Sequence, residues 1–391
     1  MIEFSAELGG FALSLLAFLA DYVVPFLVAL TVLVFVHEMG HYLVARWCGV
    51  RVEVFSIGFG PEIYGWTDSR ATRWRVSAIP VGGYVKMFGE MLAGPEAEAD
   101  EAYASEEARR VSFHTKSVWR RSAIVAAGPL ANFLFAIVIL AAVFVTVGEP
   151  STPARISAVV PGSAAERAGF QPGDVITRID GTTIERFEQV MRLVRIAPGE
   201  TLRIEVDRDG RTVVLAAVPD TIRQTNSFGM RQVIGRLGVS RAGGTVQVVR
   251  HDPFTAVVRA VDDMFSMIGD IFQALGQMFT GTRDASELGG PLRIAQISGD
   301  VWQVGVVSTL LFVASLSINL GLINLFPIPM LDGGHLMFYA IEAVVGRPIG
   351  SRAREYGFRL GLAMVFALMI FVTWNDLVQL RVFEFFVGLV T

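Results

Sequence analysis

The chain has 391 residues, 52% of them hydrophobic and only 18% charged, with a mean hydropathy of +0.51. Soluble domains carry roughly 25% charged residues, so lipid must solvate part of this chain. The 33 basic and 37 acidic residues leave a net charge of −4 with no basic stripe, which argues against nucleic acid as a partner, and the single cysteine, Cys48, excludes an intramolecular disulfide.

Runs of about 20 apolar residues cross a bilayer, and four are predicted. The first is Tyr22–Val36, continuing helically to Arg46 after an apolar stretch from Phe11 to Ala20. A cleaved signal peptide fits poorly, because no Lys or Arg precedes Arg46. Thr72–Ile79 alternates like a strand and ends at Pro80, and Gly82-Gly83 allow a tight return, which predicts a hairpin there. The acidic stretch Glu90–Glu107 reads as a solvated loop. The second span is Ser122–Val147.

Ala154–Val218 reads as short strands with turns, an Ala-rich helix near Ala164–Ala168, an amphipathic helix over Glu185–Ile196 and a hairpin around Asp209-Gly210. In the region 243–300, Pro253–Phe279 places apolar residues at helical spacing but is interrupted by Arg259, Asp262, Asp263 and Asp270. An interfacial helix or gate fits that pattern better than a fifth span, with packing on other helices as the alternative. The third span is Val306–Phe326 and the fourth Gly357–Trp374, followed by an interrupted apolar tail to Thr391.

Basic residues orient the spans. The segment from Arg46 to Arg121 contains eleven, both ends included, and Arg347, Arg352, Arg354 and Arg359 lie between or at the start of the last two spans. Both segments are predicted cytoplasmic, with residues 148–305 on the far side.

The polar residues inside this apolar frame carry the chemistry. His37-Glu38-Met39-Gly40-His41 lies on the first span, and histidines at i and i+4 share one helix face. Their ring nitrogens can converge on one metal ion, and Glu38 can take the proton of a water that the metal polarises. A satisfied pair of core histidines is the bland alternative, but three ionisable groups in hydrocarbon are costly without a function. Hydrolytic zinc usually takes three protein ligands. Val44 and Trp47 stand where a soluble-protease extension would need Gly and His, so the third ligand comes from elsewhere: Asp332, His335, His114 or Glu342. Asp332 follows Asn324-Leu325-Phe326-Pro327-Ile328-Pro329, whose prolines must break the helix. Irregular backbone at membrane depth is tolerated only when buried or lining a cavity. A plain helix N-cap is the alternative for Asp332. At 1.5 Å per residue His41 and His37 lie about 8 and 14 Å inward of Arg46, and Asn132 lies about 15 Å inward of Ser122. The Asn324–Asp332 end of the third span meets the same leaflet.

The HExxH of the first span, GxxxN at Gly128–Asn132 and NxxPxPxLDG at Asn324–Gly333 together resemble the site-2 protease family of intramembrane zinc metalloproteases. The likeness extends to Gly58-Phe59-Gly60-Pro61 and to Ile79–Met87. It implies a polytopic α-helical membrane protein with four transmembrane helices, a membrane-associated β-hairpin and an inserted α+β PDZ-like domain. That layout divides the chain into 1–148, 149–242, 243–300 and 301–391. It further implies zinc held by His37, His41 and Asp332, Glu38 as catalytic base, and Asn132, Asn324, Pro327, Pro329, Gly82 and Gly83 as substrate-positioning residues. Residues 154–218 resemble a circularly permuted bacterial PDZ domain. Its peptide groove would be completed by Gly235, Leu237, Gly238 and Val239, binding peptide C-termini or periplasmic segments or else serving only as a steric filter. Some relatives carry two such domains, whereas this chain has room for one.

The implied substrates are single-span membrane proteins already trimmed outside, of the anti-sigma-factor or remnant-signal-peptide type. The implied location is the bacterial inner membrane, with the active site toward the cytoplasmic leaflet. Two other classes compete. A peptide-binding scaffold would not need the metal motif. A membrane metallopeptidase of the prenyl-protein-processing type would draw a Glu ligand and would lack the LDG segment.

Overall fold

The computed structural model describes residues 18–90, 105–225, 231–241, 247–281, 283–347 and 349–379. Most of the Phe11–Ala20 stretch, most of the acidic segment and the tail beyond residue 379 lie outside these. The chain divides into two compact units, Met1–Ile139 with Gly289–Thr391, and Leu140–Leu288.

The first unit begins with a π-helical turn, Leu19–Val23, that runs into helix α1, Val24–Trp47. Pro25 sits in the first turn of α1, where a missing N–H costs nothing. Two long strands follow, β1 (Val52–Thr67) and β2 (Arg73–Met87), joined through the turn at Asp68–Thr72. They do not form a simple hairpin. Residues 54–57 of β1 pair with 83–86 on one side and with 73–76 on the other, while 62–67 also pair with 73–77. Each strand therefore folds back on itself, giving an antiparallel sheet of four segments in the order 83–87, 52–57, 73–77 and 62–67. The bends fall at Gly58, Gly60 and Gly82, all at positive φ. Helix α2 (Glu106–Val111), capped by the Ser105 hydroxyl, leads to the long helix α3 (Val118–Thr146). Tyr42, Phe55, Val85, Phe113 and Ile124 bury against one another and join α1, the sheet and α3 into one core.

The second unit contains strands β3 (Glu149–Ser151) to β12 (Gln247–Val249), with helices α4 (Ala164–Ala168), α5 (Phe187–Arg195) and α6 (Pro253–Thr280). A four-stranded sheet has the order β6 (Thr182–Thr183), β5 (Val175–Ile179), β7 (Leu202–Arg208) and β8 (Arg211–Ala217). Shorter ladders join β4 (Ile156–Val159) to β11 (Val239–Arg241), β9 (Asp220–Thr225) to β10 (Arg231–Arg236), and β3 to β12. Ile156, Ile176, Ile179, Ile204 and Val206 are at most 2% exposed and form the centre of its core.

Helix α6 belongs to this unit. Arg259 pairs with Glu185, Arg186 with Asp263 and Arg192 with Asp270, while Ala256 and Ala260 are fully buried. Three of the four charges that interrupt a spanning pattern, Arg259, Asp263 and Asp270, are thus partners for side chains of α5 and its preceding turn. Sequence periodicity cannot show such a pairing.

Asp174 supplies a pH test of this unit. Burial pushes its carboxyl up, but hydrogen bonds from Arg208, at 2.8 Å to each oxygen, and from the Gln171 N–H outweigh burial and hold it below the usual carboxylate range. A depressed folded-state value contributes stability above the unfolded value of about 3.9, and that stability is lost as pH falls through the folded one. Thermal unfolding followed by tryptophan-independent far-UV signal should show acid destabilisation below about pH 4 that Asp174→Asn reduces.

The chain returns to the first unit through α7 (Pro291–Val304), α8 (Val306–Leu325), α9 (Asp332–Val345) and α10 (Ser351–Gln379). Asp376 of α10 is buried and accepts hydrogen bonds from the Gly290 and Arg293 N–H groups, satisfying the start of α7. Among the described residues, four helical segments are long and apolar enough to cross a membrane, Leu19–Trp47, Val118–Thr146, Val306–Leu325 and Arg352–Val378. They match the four predicted spans.

Candidate metal centre

Helix α1 presents His37 and His41 one turn apart toward α3 and the start of α9. His37 Nε2 lies 3.2 Å from His41 Nε2 and 3.1 Å from Asp332 Oδ2, and His41 Nε2 lies 3.5 Å from the same oxygen. Tetrahedral zinc, with bonds of about 2.0–2.1 Å, spaces its ligand atoms about 3.3 Å apart. The triangle therefore has the dimensions of one face of a zinc coordination sphere. Asp332 Oδ2 is buried and meets neither ring at hydrogen-bonding geometry, so it is an acceptor that a cation would satisfy. These three residues are the only cluster with metal-ligand spacing among the described residues.

Local structure explains how Asp332 arrives there. After α8 ends, Pro327 and Pro329 prevent helix, and Met330 is held at φ 96°. A residue with a side chain is strained at that angle by about 1–3 kcal/mol. The predicted irregular backbone is therefore present. Asp332 is the first residue of α9 and caps nothing with its side chain, since the cap position is Leu331.

The other three candidate ligands are placed elsewhere. His335 packs its ring on Phe358, with centroids 5.3 Å apart. Burial, with Arg354 and Arg121 adding to it, pushes His114 down to about 4. Glu342 accepts a 2.6 Å hydrogen bond from Arg121, which also lies over the Tyr339 ring. The two side chains of this ion pair are 10% and 16% exposed, and they tie α9 to the first turn of α3. Removing one partner of a buried pair strands the other charge, so Glu342→Gln should destabilise the protein by about 3–5 kcal/mol. Thermal unfolding in detergent checks this, and an unchanged midpoint would contradict it.

Neighbouring elements hold the two histidines. His41 Nδ1 donates to the Ile124 carbonyl at 2.9 Å, which leaves Nε2 as the free nitrogen facing His37 and Asp332. Pro129 inside α3 removes the donor that the carbonyl at position 125 would otherwise receive, one residue from Ile124. Asn132 is fully buried, with its Nδ2 3.2 Å from His37 Nδ1 and its Oδ1 without a partner. Ser317 of α8 donates to the Asn132 carbonyl at 2.8 Å. Close approach of α3 depends on Gly128, where a Cβ would stand 2.3 Å from His41 Nε2.

Glu38 stands beside β2, with the Val85 backbone donating to its carboxyl. A Cβ at Gly83 would meet the Ser56 carbonyl at 2.7 Å, Val34 Cγ1 at 2.9 Å and Glu38 Cγ at 3.3 Å. Gly83 therefore lets the strand lie against α1. Asn324 is half-buried in the last turn of α8, and its side chain has no hydrogen-bond partner among the described residues. Gly235 lies on β10 and Val239 on β11, in the other unit. Leu237 is buried there, and its carbonyl and that of Gly238 accept from Ala165 and Val160.

Sequence reasoning missed the Ile124 carbonyl and the Val85 amide, since backbone groups have no side-chain signature. In the sequence Gly128 stands out only as part of the GxxxN motif. The visible signal was a Gly-Pro pair, poor in helix propensity, inside an otherwise uninterrupted span.

Comparison with known proteins agrees with this geometry. The profile of peptidase family M50 matches residues 25–368. A protein of Agrobacterium fabrum named as a zinc metalloprotease is 44% identical over 366 residues, covering 93% of this chain and 97% of its own. Metalloprotease MmpA of Caulobacter vibrioides is 38% identical, covering 94% and 98%. Protease RseP of Yersinia pestis is 33% identical, covering 91% and 98%. A profile match across most of the chain, with relatives aligned from end to end of their own length, makes this chain a member of peptidase family M50, the site-2 protease family that its motifs resemble.

Proposed function

We propose that the chain is a zinc-dependent endopeptidase that cuts single-span membrane proteins inside the bilayer, with His37, His41 and Asp332 as metal ligands. The observation that carries this reading is the triangle of 3.1–3.5 Å formed by their three donor atoms, with Glu38 on the same helix between the histidines. A zinc ion bound there supplies Lewis-acid polarisation of water and of the scissile carbonyl. Glu38 takes the proton of the attacking water and returns it to the leaving amine. The Val85 amide holds that carboxylate in place.

With Nε2 of His37 kept for the metal, its Nδ1 carries the proton and needs an acceptor. Turning the Asn132 amide, whose oxygen and nitrogen are assigned from the network, supplies Oδ1 and relieves the orphaned oxygen. Asn132 thus orients His37, and its freed amide nitrogen remains a donor toward substrate. Asn324, with an unengaged side chain, is the second candidate to hold the substrate backbone. A peptide bond in a helix is shielded by its own hydrogen bonds, so substrate must unwind. The outer edge of residues 83–87, beside Glu38, can receive it as an added strand, with Gly82, Pro327 and Pro329 shaping the approach.

The basic residues flanking the spans support a cytoplasmic-leaflet site in a bacterial inner membrane, with residues 149–242 outside. In that unit β11 pairs on one edge only, with β4, among the described residues. The other edge supports a PDZ-like role in which Gly235–Val239 bind a trimmed peptide end. Substrates of the anti-sigma-factor or remnant-signal-peptide type would suit both features.

The test is metal content and cleavage of a single-span reporter by the full chain in proteoliposomes. Wild type should bind one zinc and lose cleavage on chelation. Asp332→Asn should lower zinc affinity by at least about 100-fold. Retention of zinc by that variant would reassign the third ligand.

A further inference from the structure

Outside the metal centre, positive charge gathers at one place in the first unit. Glu106, Arg109 and Arg110 of α2, with Thr115, Lys116, Ser117 and Arg120, line a cavity of about 570 Å³ at the start of α3. Four cations face one carboxylate, in a protein whose net charge is −4. The carboxylate, Glu106, pairs at 3.0 Å with Arg110, and both side chains are well exposed. Lys116 spends one of its three donors on the Arg110 carbonyl, at 2.5 Å. Among the described residues, the side chains of Arg109 and Arg120 have no acidic partner. Burial, with Arg120 adding to it, pushes the Lys116 ammonium below its usual value. An anion in the cavity would relieve that repulsion.

Two facts locate this cavity in relation to the membrane. It sits at the first residues of a helix, Val118–Thr146, long and apolar enough to span. Trp119, one turn-position inside that end, is 77% exposed, as an interfacial aromatic anchor is. A cluster of cations beside such an anchor stands at the depth of lipid phosphates. We infer that the cavity between α2 and the start of α3 binds the phosphate of an anionic phospholipid headgroup, with Arg109, Lys116 and Arg120 as its donors. Arginine forks suit phosphate oxygens in pairs, and the lysine supplies a point charge. Topology alone would need these charges only to be near the membrane. It would not need them to converge on one cavity.

The test uses the full chain in a neutral detergent, titrated with phosphatidylglycerol, phosphatidylcholine or inorganic phosphate and read by native mass spectrometry. Phosphatidylglycerol should be retained in preference to phosphatidylcholine. Arg109→Gln with Arg120→Gln should weaken its retention roughly tenfold or more. Arg347→Gln with Arg352→Gln, which removes two charges near another span, should change it less than twofold. Millimolar inorganic phosphate should not displace the lipid. Equal retention of both lipids, or an unchanged Arg109/Arg120 double variant, would overturn the inference. Displacement by inorganic phosphate would overturn the lipid assignment and make the site one for a free anion. Circular dichroism of each variant ensures that a loss is read on folded protein.

Discussion

Glu38→Gln is expected to lower cleavage of a single-span reporter by about 10²- to 10⁴-fold while leaving zinc at one ion per chain. The amide is nearly isosteric with the carboxylate, so the approach of β2 around Gly83 has no reason to change. It cannot accept a proton, so the water's proton and the leaving amine lose their shared carrier. Because Glu38 is not one of the three atoms forming the ligand triangle, metal content and chemistry separate in this variant. Zinc lost together with activity would make Glu38 a structural residue. Full activity with zinc retained would remove it from the mechanism.

Gly128→Ala should abolish zinc binding at micromolar metal, with cleavage falling below detection. In most helix interiors this substitution stabilises by up to about 1 kcal/mol. Here the added methyl would stand 2.3 Å from His41 Nε2 and 2.8 Å from His37 Cε1. Contact at those distances forces the rings to rotate or α3 to withdraw, and withdrawal also breaks the hydrogen bond from His41 to the Ile124 carbonyl. Helix content should remain, because propensity favours alanine. Gly269→Ala and Gly276→Ala, both facing open space on α6, are the matched controls and should bind zinc like wild type. Zinc affinity measured by competition with a chromophoric chelator decides the case. Normal affinity in Gly128→Ala would mean that the helices yield at little cost.

Charge at Asp263 and Asp270 shows where one-dimensional reading stops. On the sequence those residues only interrupt an apolar pattern, which favours a helix lying at an interface. Their meaning comes from Arg186 and Arg192, more than seventy positions earlier, and no local periodicity reports such a partner. The hairpin shows the same limit differently. Strand-like alternation over Thr72–Ile79 identifies extended chain, but the sheet of four segments arises from bends at Gly58, Gly60 and Gly82. Register across a bend is decided by which faces bury, and here Phe55 and Val85 bury against Tyr42 and Ile124.

The spans and the HExxH pair were determined by sequence alone, because both depend on short-range physics. An apolar run partitions into lipid wherever it occurs, and residues at i and i+4 meet on any helix. The choice of Asp332 over His335, His114 and Glu342 was narrowed by the two prolines before it. Only tertiary structure brings its carboxylate oxygen within 3.1 and 3.5 Å of the two imidazoles and pairs Glu342 with Arg121, and the proposed ligand set rests on that placement. A carboxylate 291 positions from the nearer histidine is close only because α1, α3 and α9 pack together. The shape of that packing depends on Gly128, the Ile124 carbonyl and the strained turn at Met330.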